Sequence, residues 1–412
     1  MGIIFTDASI IDGKGGFLSR GFVSVENNRI VKVGKGSGPA RKNDHDVIGL
    51  DGRTLLPGII DCHVHLCLDG GADPMRTLQN DPDPVMILKT ARNGKITLEA
   101  GVTTVRDMGA RKGVTLPIRD AIAERIVSGP RILSSGQCIC MTGGHGWFFG
   151  READGEDEVR KAVREQIKAG ADVIKMMATG GVMTPGVDPG AAQFTYEELR
   201  AGVEEAHKAG RRTASHAQGN QGVKNALRAG MDSIEHGVFL DEEAIKLFLD
   251  RKTPLIPTIS APFNILDKGI EKGVPSYAVE KTKEVSKAHI ESAKEAYREG
   301  VTIAMGTDAG TPFNRHGDNL KELELLVGLG LSPMEAIVSA TYVAADALGL
   351  GNLLGAIEPG KLADLIIVEG DPLKDIPVLQ RKEKILVVMK DGQFQKNLFR
   401  AGREAASREV AL

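Results

Sequence analysis

The apolar residues of this chain follow two rhythms. At both ends they form short runs separated by turn-forming residues. In the middle, such runs alternate with stretches whose apolar positions recur at helical spacing. Residues 3–11, 21–25 and 30–33 are apolar runs broken by Asp-Gly, Asn-Asn and Gly-rich turns. Residues 363–368 and 385–389 repeat the pattern near the other end, and Lys390-Asp391-Gly392 follows as a turn. Runs bounded in this way predict strands. Two strand-rich ends around a different middle predict one small β-sandwich domain built from residues 1–57 and 356–412. The charged residues from about 402 onward are expected to form a surface helix or tail.

The middle, residues 58–355, alternates strand and helix. Eight candidate strands cover 59–65, 103–108, 131–135, 173–177, 212–216, 233–237, 255–259 and 302–306. Between them lie helical patterns such as 157–169, where Val159, Val163 and Ile167 recur on one face. Thr195 with Glu198 three residues on is a capping box, and Ser332-Pro333-Met334-Glu335 places Ser as N-cap and Pro at the first helical position. Eight strands alternating with helices predict an α/β chain with a (β/α)8 barrel of the TIM type. A doubly wound open sheet is the alternative, but no Gly-x-Gly-x-x-Gly follows the first strand.

The first strand candidate carries the strongest signal. Leu55 to Leu66 is an apolar run that ends in His63-Val64-His65. Residues i and i+2 of a strand face the same way, so both imidazoles point to one side. That is a natural start for a metal site.

Composition narrows the function classes. The 412 residues are 42% hydrophobic and 26% charged, typical of a globular protein with a sizeable core. A formal net charge of −3 gives no basic surface for nucleic acid or an anionic membrane. No apolar run reaches the roughly 20 residues of a membrane span, and the start lacks a basic region followed by an apolar core. Cys62, Cys67, Cys138 and Cys140 are too few for a disulfide framework, and the Cys138-Ile139-Cys140 spacing is not that of a zinc knuckle. Reduced thiols and a cytoplasmic location are expected.

Chemistry in such a barrel sits at the C-terminal ends of the strands. Strand 1 ends in His63 and His65, strand 5 in His216, strand 6 in Glu235-His236, and strand 8 in Gly306-Thr307-Asp308-Ala309-Gly310. Strand 4 carries Lys175 inside an apolar run. A buried lysine is costly unless paired or neutralised. Lys175 has three readings: an ion pair with Glu235 or Asp308, a Schiff base, or a carbamate formed with carbon dioxide that bridges two metals. Beside four strand-end histidines the carbamate is preferred.

These motifs together resemble the amidohydrolase superfamily, from Pro57-Gly58-Ile59-Ile60-Asp61-Cys62-His63-Val64-His65 to Pro359-Gly360-Lys361-Leu362-Ala363-Asp364-Leu365. Within it, the chain resembles the imidazolonepropionase-related branch, especially prolidase-like Xaa-Pro dipeptidases and carboxypeptidases. Thr103-Thr104-Val105-Arg106-Asp107, Gly143-Gly144-His145-Gly146 and His316-Gly317-Asp318-Asn319 carry the narrower likeness. The resemblance implies a binuclear site, with zinc suited to its ligands. His63, His65 and Asp308 would hold one ion, His216 and His236 the second, and carboxylated Lys175 would bridge. It implies hydrolysis of the amide bond of dipeptides or N-acyl amino acids, with a C-terminal prolyl or apolar residue favoured. Asp308 would shuttle the proton. A cyclic-amide hydrolase or deaminase on the same scaffold is the alternative. A metal-free or Schiff-base barrel would leave the four histidines unexplained.

His145, in the Gly-rich aromatic loop beyond strand 3, is the catalytic candidate for donating to the oxyanion or clamping the substrate, and Arg106 and His316 are further expected substrate contacts. Arg106, His145, Arg315 and His316 are the candidates for a substrate carboxylate. Asp188 and Asp69 are the candidates for a cationic side chain. Glu235, directly before His236, is expected to point away from the site. His207 and His289, in helical segments, are expected to face solvent. The partners expected are small-molecule substrates and, by analogy with relatives, other copies of the chain.

Overall fold

The structure, a computed structural model, describes residues 2–39 and 45–399. The tail expected from about residue 402 lies outside the described residues. Strands from both ends form one sheet, in the order Gln393–Asn397, Ile385–Lys390, Leu365–Val368, Thr54–Pro57, Gly2–Ile11, Phe17–Glu26 and Arg29–Lys35, with His45–Gly49 pairing on Gly2–Ile11. The hairpin after Ile385–Lys390 turns through Asp391 and Gly392, both at positive φ, as a two-residue type I′ turn requires.

The apolar run from Leu55 to Leu66 is not one strand. Thr54–Pro57 belongs to the terminal sheet, while Ile59–Val64 pairs in parallel with Val102–Asp107. Gly58 stands at the junction because a Cβ there would lie 2.2 Å from Thr103 Oγ1. Arg131, at the start of the third barrel strand, ties the two parts together through Asp364 at 2.6 Å and Asp391 at 2.5 Å.

The middle of the chain is an α/β fold of the TIM-barrel type. Its ladders form two parallel arcs. Ile59–Val64, Val102–Asp107 and Arg131–Ser134 make the first. Val173–Met177, Arg212–Ala217, Ser233–His236 and Leu255–Ile256 make the second, flanked by the short strands Ile139–Cys140 and Arg151–Glu152. One gap is crossed by the Asp172 N–H donating to the Ser134 carbonyl at 2.8 Å. The other is crossed by residues 302–309, which bond to Leu255 on one side and to Cys62, His63 and His65 on the other.

Two expected strands differ from the pattern. The seventh stops at Ile256, because Pro257 cannot donate and Thr258 adopts a positive φ of 54°. The eighth contributes isolated bridges at Ile303 and Ala309 rather than a regular ladder. Both expected capping boxes, at Thr195 and Ser332, are present. The helix expected over 157–169 starts two residues earlier, as Gly155–Ala169.

A candidate metal centre

The C-terminal end of the first barrel strand is fixed to residues 307–309 by a buried carboxylate. Asp61 accepts from the Thr307 hydroxyl at 2.6 Å, the Thr307 N–H at 3.1 Å and the Asn319 amide at 2.8 Å. The Asp308 N–H in turn donates to the His63 carbonyl at 2.7 Å. This weld sets the relative position of His63, His65 and Asp308.

Their ligand atoms converge. His63 Nε2 and His65 Nε2 each lie 3.5 Å from Asp308 Oδ1, and one ligand atom from each of the three residues falls within 4.8 Å of the others. Two donors on one zinc, each roughly 2.0–2.1 Å from it in tetrahedral geometry, stand about 3.3 Å apart. The cluster therefore has the spacing of a metal site. Burial first, and the nearby Lys175 charge after it, hold these imidazoles neutral, pushing His65 down to about 4 and His63 well below its usual value.

The second nitrogen of each histidine is anchored. His63 Nδ1 donates to Glu235 Oε2 at 2.8 Å, His65 Nδ1 to the Gly109 carbonyl at 2.8 Å, and His216 Nε2 to the Gly180 carbonyl at 2.8 Å. His236 Nδ1 bonds the Thr258 hydroxyl at 2.7 Å. Such partners fix ring orientation and tautomer in metal sites. The ring centroids of His63 and His236 are 5.2 Å apart, those of His216 and His236 4.5 Å, and those of His145 and His216 4.3 Å. Asp308, His236 and Thr258 all have positive φ, of 58°, 73° and 54°. Each such residue costs about 1–3 kcal/mol and persists only where its surroundings dictate it.

Lys175 stands in the strand Val173–Met177, 1% exposed, and its Nζ is buried with no hydrogen-bond partner. Burial lowers it to about 8, offset by the charges of Glu235 and Asp308. Asp308 is raised by burial to about 7, with Lys175 pulling the other way. A partnerless buried amine is the atom on which a carbamate would be built, so the residues present fit the implied group.

His63, His65, Lys175, His216, His236, Asp308 and His145 line one cavity. Met75, Phe148, Phe149, Met177, Met183 and Ile265 form its apolar wall. Arg106 and His316 do not line it, against expectation. The Arg106 guanidinium is spent on Glu235 at 2.8 Å, Ser233 at 2.9 Å and the Cys62 carbonyl at 2.7 Å. His316 Nε2 is spent on the Leu68 carbonyl at 2.9 Å. Asp69 and Asp188 also lie outside the lining.

Two further expectations fail. Glu235 does not point away: it shares the inward face of the strand with Ser233 and bonds His63 and Arg106 inside the barrel, and it is His236 that a φ of 73° turns inward against the alternation. His289 is buried and lines the cavity, whereas His207 is exposed beside Asp232. Thr258 and Gln218, which the sequence reading missed, also belong here: Thr258 holds His236, and Gln218 lines the cavity. Gln218 follows His216 by two residues, a spacing that was open to the same strand argument as His63 and His65. The four cysteines are free and buried.

A family model described as "Amidohydrolase family" matches residues 54–394. Ochratoxinase from Aspergillus niger is 33% identical over 377 residues, spanning 83% of this chain and 76% of that protein. Among solved structures, a Xaa-Pro dipeptidase with methionine bound in its active site has a TM-score of 0.88 at 36% identity, covering 96% of this chain and 99% of that one. A prolidase complexed with N-methylphosphonate-L-proline has a TM-score of 0.88 at 30% identity, covering 96% of this chain and 100% of that one.

Proposed function

Because the chain belongs to the amidohydrolase family, whose members are hydrolases acting on C–N bonds, we propose that it is a binuclear metal-dependent enzyme. Its substrates are dipeptides or N-acyl amino acids, with a C-terminal prolyl or apolar residue favoured. One observation carries this reading: the partnerless Lys175 amine beside the convergent His63, His65 and Asp308 donors. His63, His65 and Asp308 would hold one zinc ion, His216 and His236 a second, and a carbamate on Lys175 would bridge them. Bound metal supplies Lewis acidity and a water that is nucleophilic near neutral pH.

The chain's own groups do the rest. Asp308, on the cavity floor beside both strand-1 imidazoles, takes the proton of the attacking water and returns it to the departing amine. Thr184 Oγ1 accepts from the Gly146 N–H at 3.1 Å and bonds His145 Nδ1 at 2.9 Å. With the Thr184 hydroxyl donating to the Nδ1 lone pair, the neutral His145 ring carries its proton on Nε2, free to donate to the carbonyl oxygen as it gains charge. The Met and Phe wall excludes water and receives an apolar side chain. Likeness to a Xaa-Pro dipeptidase and to a prolidase supports a peptide substrate.

The same reading extends to architecture. Backbone bonds across both gaps support a closed eight-stranded ring over residues 58–355, with a sandwich domain from 1–57 and 356–412. The buried free thiols support a cytoplasmic setting.

The test is metal content per chain, with a panel of Xaa-Pro and other dipeptides, N-acyl amino acids and ochratoxin on the same sample. About two zinc ions and cleavage of apolar or prolyl substrates are expected. Zinc without peptide or N-acyl cleavage would move the substrate to cyclic amides. No zinc, even when supplied with bicarbonate, would remove the metal reading.

A further inference from the structure

The four strand-end histidines are not anchored alike. Glu235, the Gly109 carbonyl and the Gly180 carbonyl can only accept, so each forces a proton onto the nitrogen it faces. His236 instead faces a hydroxyl, which can donate or accept. Something must settle that direction.

The neighbouring peptide settles it. Thr258 Oγ1 lies 2.7 Å from the Pro257 carbonyl, a pure acceptor, and donates its proton there. The oxygen is then left to accept from His236 Nδ1, 2.7 Å away, and His236 Nε2 keeps its lone pair. The Pro257 carbonyl is held in turn by His289, on the helix Ser276–Arg298, whose Nε2–H donates to it at 2.7 Å. Both lone pairs of that carbonyl are thereby used.

The geometry of the segment points the same way. Thr258 is β-branched and has a φ of 54°, a conformation it would leave if released. Glu322, from the helix Lys321–Leu329, accepts the Ile259 N–H at 2.8 Å and the Ser260 N–H at 2.7 Å. Two separate helices thus grip the residues on either side of Thr258. Relaxation of the segment would withdraw the hydroxyl from His236.

We infer that Thr258 and His289 are positioning residues: through the Pro257 carbonyl they fix the tautomer and ring orientation of His236. The inference rests on reading His236 as a metal ligand. His289 acts on His236 through this relay and also bonds the His236 backbone.

The test combines zinc affinity, by competition with a chromophoric chelator, with the long-range proton–nitrogen spectrum of histidine in the metal-free full chain. Wild type is compared with Thr258→Ser, Thr258→Gly, His289→Gln and His289→Leu. In wild type, His236 carries its proton on Nδ1. Thr258→Gly relieves the strain yet mixes the tautomers and weakens zinc about 10–100-fold, as loss of an outer partner does. Thr258→Ser keeps both properties. His289→Leu weakens zinc about tenfold, and His289→Gln, whose amide donates in the same direction, restores most of it.

Glycine and leucine variants that keep the Nδ1–H form and bind zinc like wild type would overturn the relay. Equal losses in the serine and glutamine variants would also overturn it, since they mark a general packing role. If wild type binds no zinc, the metal reading fails by itself, and the tautomer comparison in the metal-free chain still decides the relay.

Discussion

The two halves of the cavity floor are built on different terms. His63, His65 and Asp308 already have donor atoms at metal-ligand spacing in the bare chain, locked by Asp61 and Glu235. Lys175, His216 and His236 form the other half. There the amine has no partner, one imidazole leans on a loop carbonyl, and the other leans on a strained threonine. The first half is finished by folding. The second keeps an amine without a partner, the feature on which the proposed carbamate bridge rests. Burial there lowers Lys175 to about 8, so its proton is held less tightly than a surface lysine's.

The largest effect is expected in the finished half. Asp308→Asn should lower turnover by roughly 10²–10⁴ while the chain stays folded, read by steady-state kinetics beside a thermal melt. Wild-type turnover would take Asp308 out of the proton transfers. Next comes the unfinished half. Lys175→Ala should lose bound zinc and nearly all activity, with partial recovery on adding a short carboxylate with bicarbonate. Full zinc retention, measured by elemental analysis, would mean the two halves do not differ as described.

A smaller effect should follow Glu235→Gln, which removes the charge behind His63 and leaves the buried Arg106 facing a neutral amide. Zinc affinity should fall about 10–100-fold in a chelator competition, and no change would assign Glu235 to packing alone.

The smallest concerns the support of the unfinished half. Burial raises Glu322 from 4.5 to about 7. The folded chain therefore holds this proton more tightly than the unfolded chain between those values. Its stabilising contribution is full below about 4.5 and fades as pH rises through about 7. The gap in thermal midpoint between wild type and Glu322→Gln should narrow by a few degrees across that window. A gap independent of pH would mean that Glu322 is ionised throughout.

The residues at the strand ends were legible because a strand's period of two and the barrel's active face together predict where a side chain goes. His63, His65, Lys175 and His216 come to one cavity by that rule, and His236 and Asp308 join them through left-handed backbone. Glu235 was misjudged because the exception is its neighbour: Glu235 shares the inward face of Ser233, while a positive φ also turns His236 inward, and no residue type there announces it. Arg106 was misread for a different reason. A strand-end arginine looks the same in sequence whether it meets a substrate carboxylate or a buried glutamate on another strand.

The sequence by itself determined the alternation of strand and helix, the helix caps and the likeness to prolidase-like amidohydrolases, because these depend on local periodicity and short motifs. Tertiary structure alone decided which second partner each histidine meets, which cations are consumed inside the barrel, and that the Leu55–Leu66 run divides between two sheets. Those outcomes depend on contacts between residues far apart in the chain, such as Asp61 with Thr307 or His289 with Pro257, and no local pattern encodes such pairings.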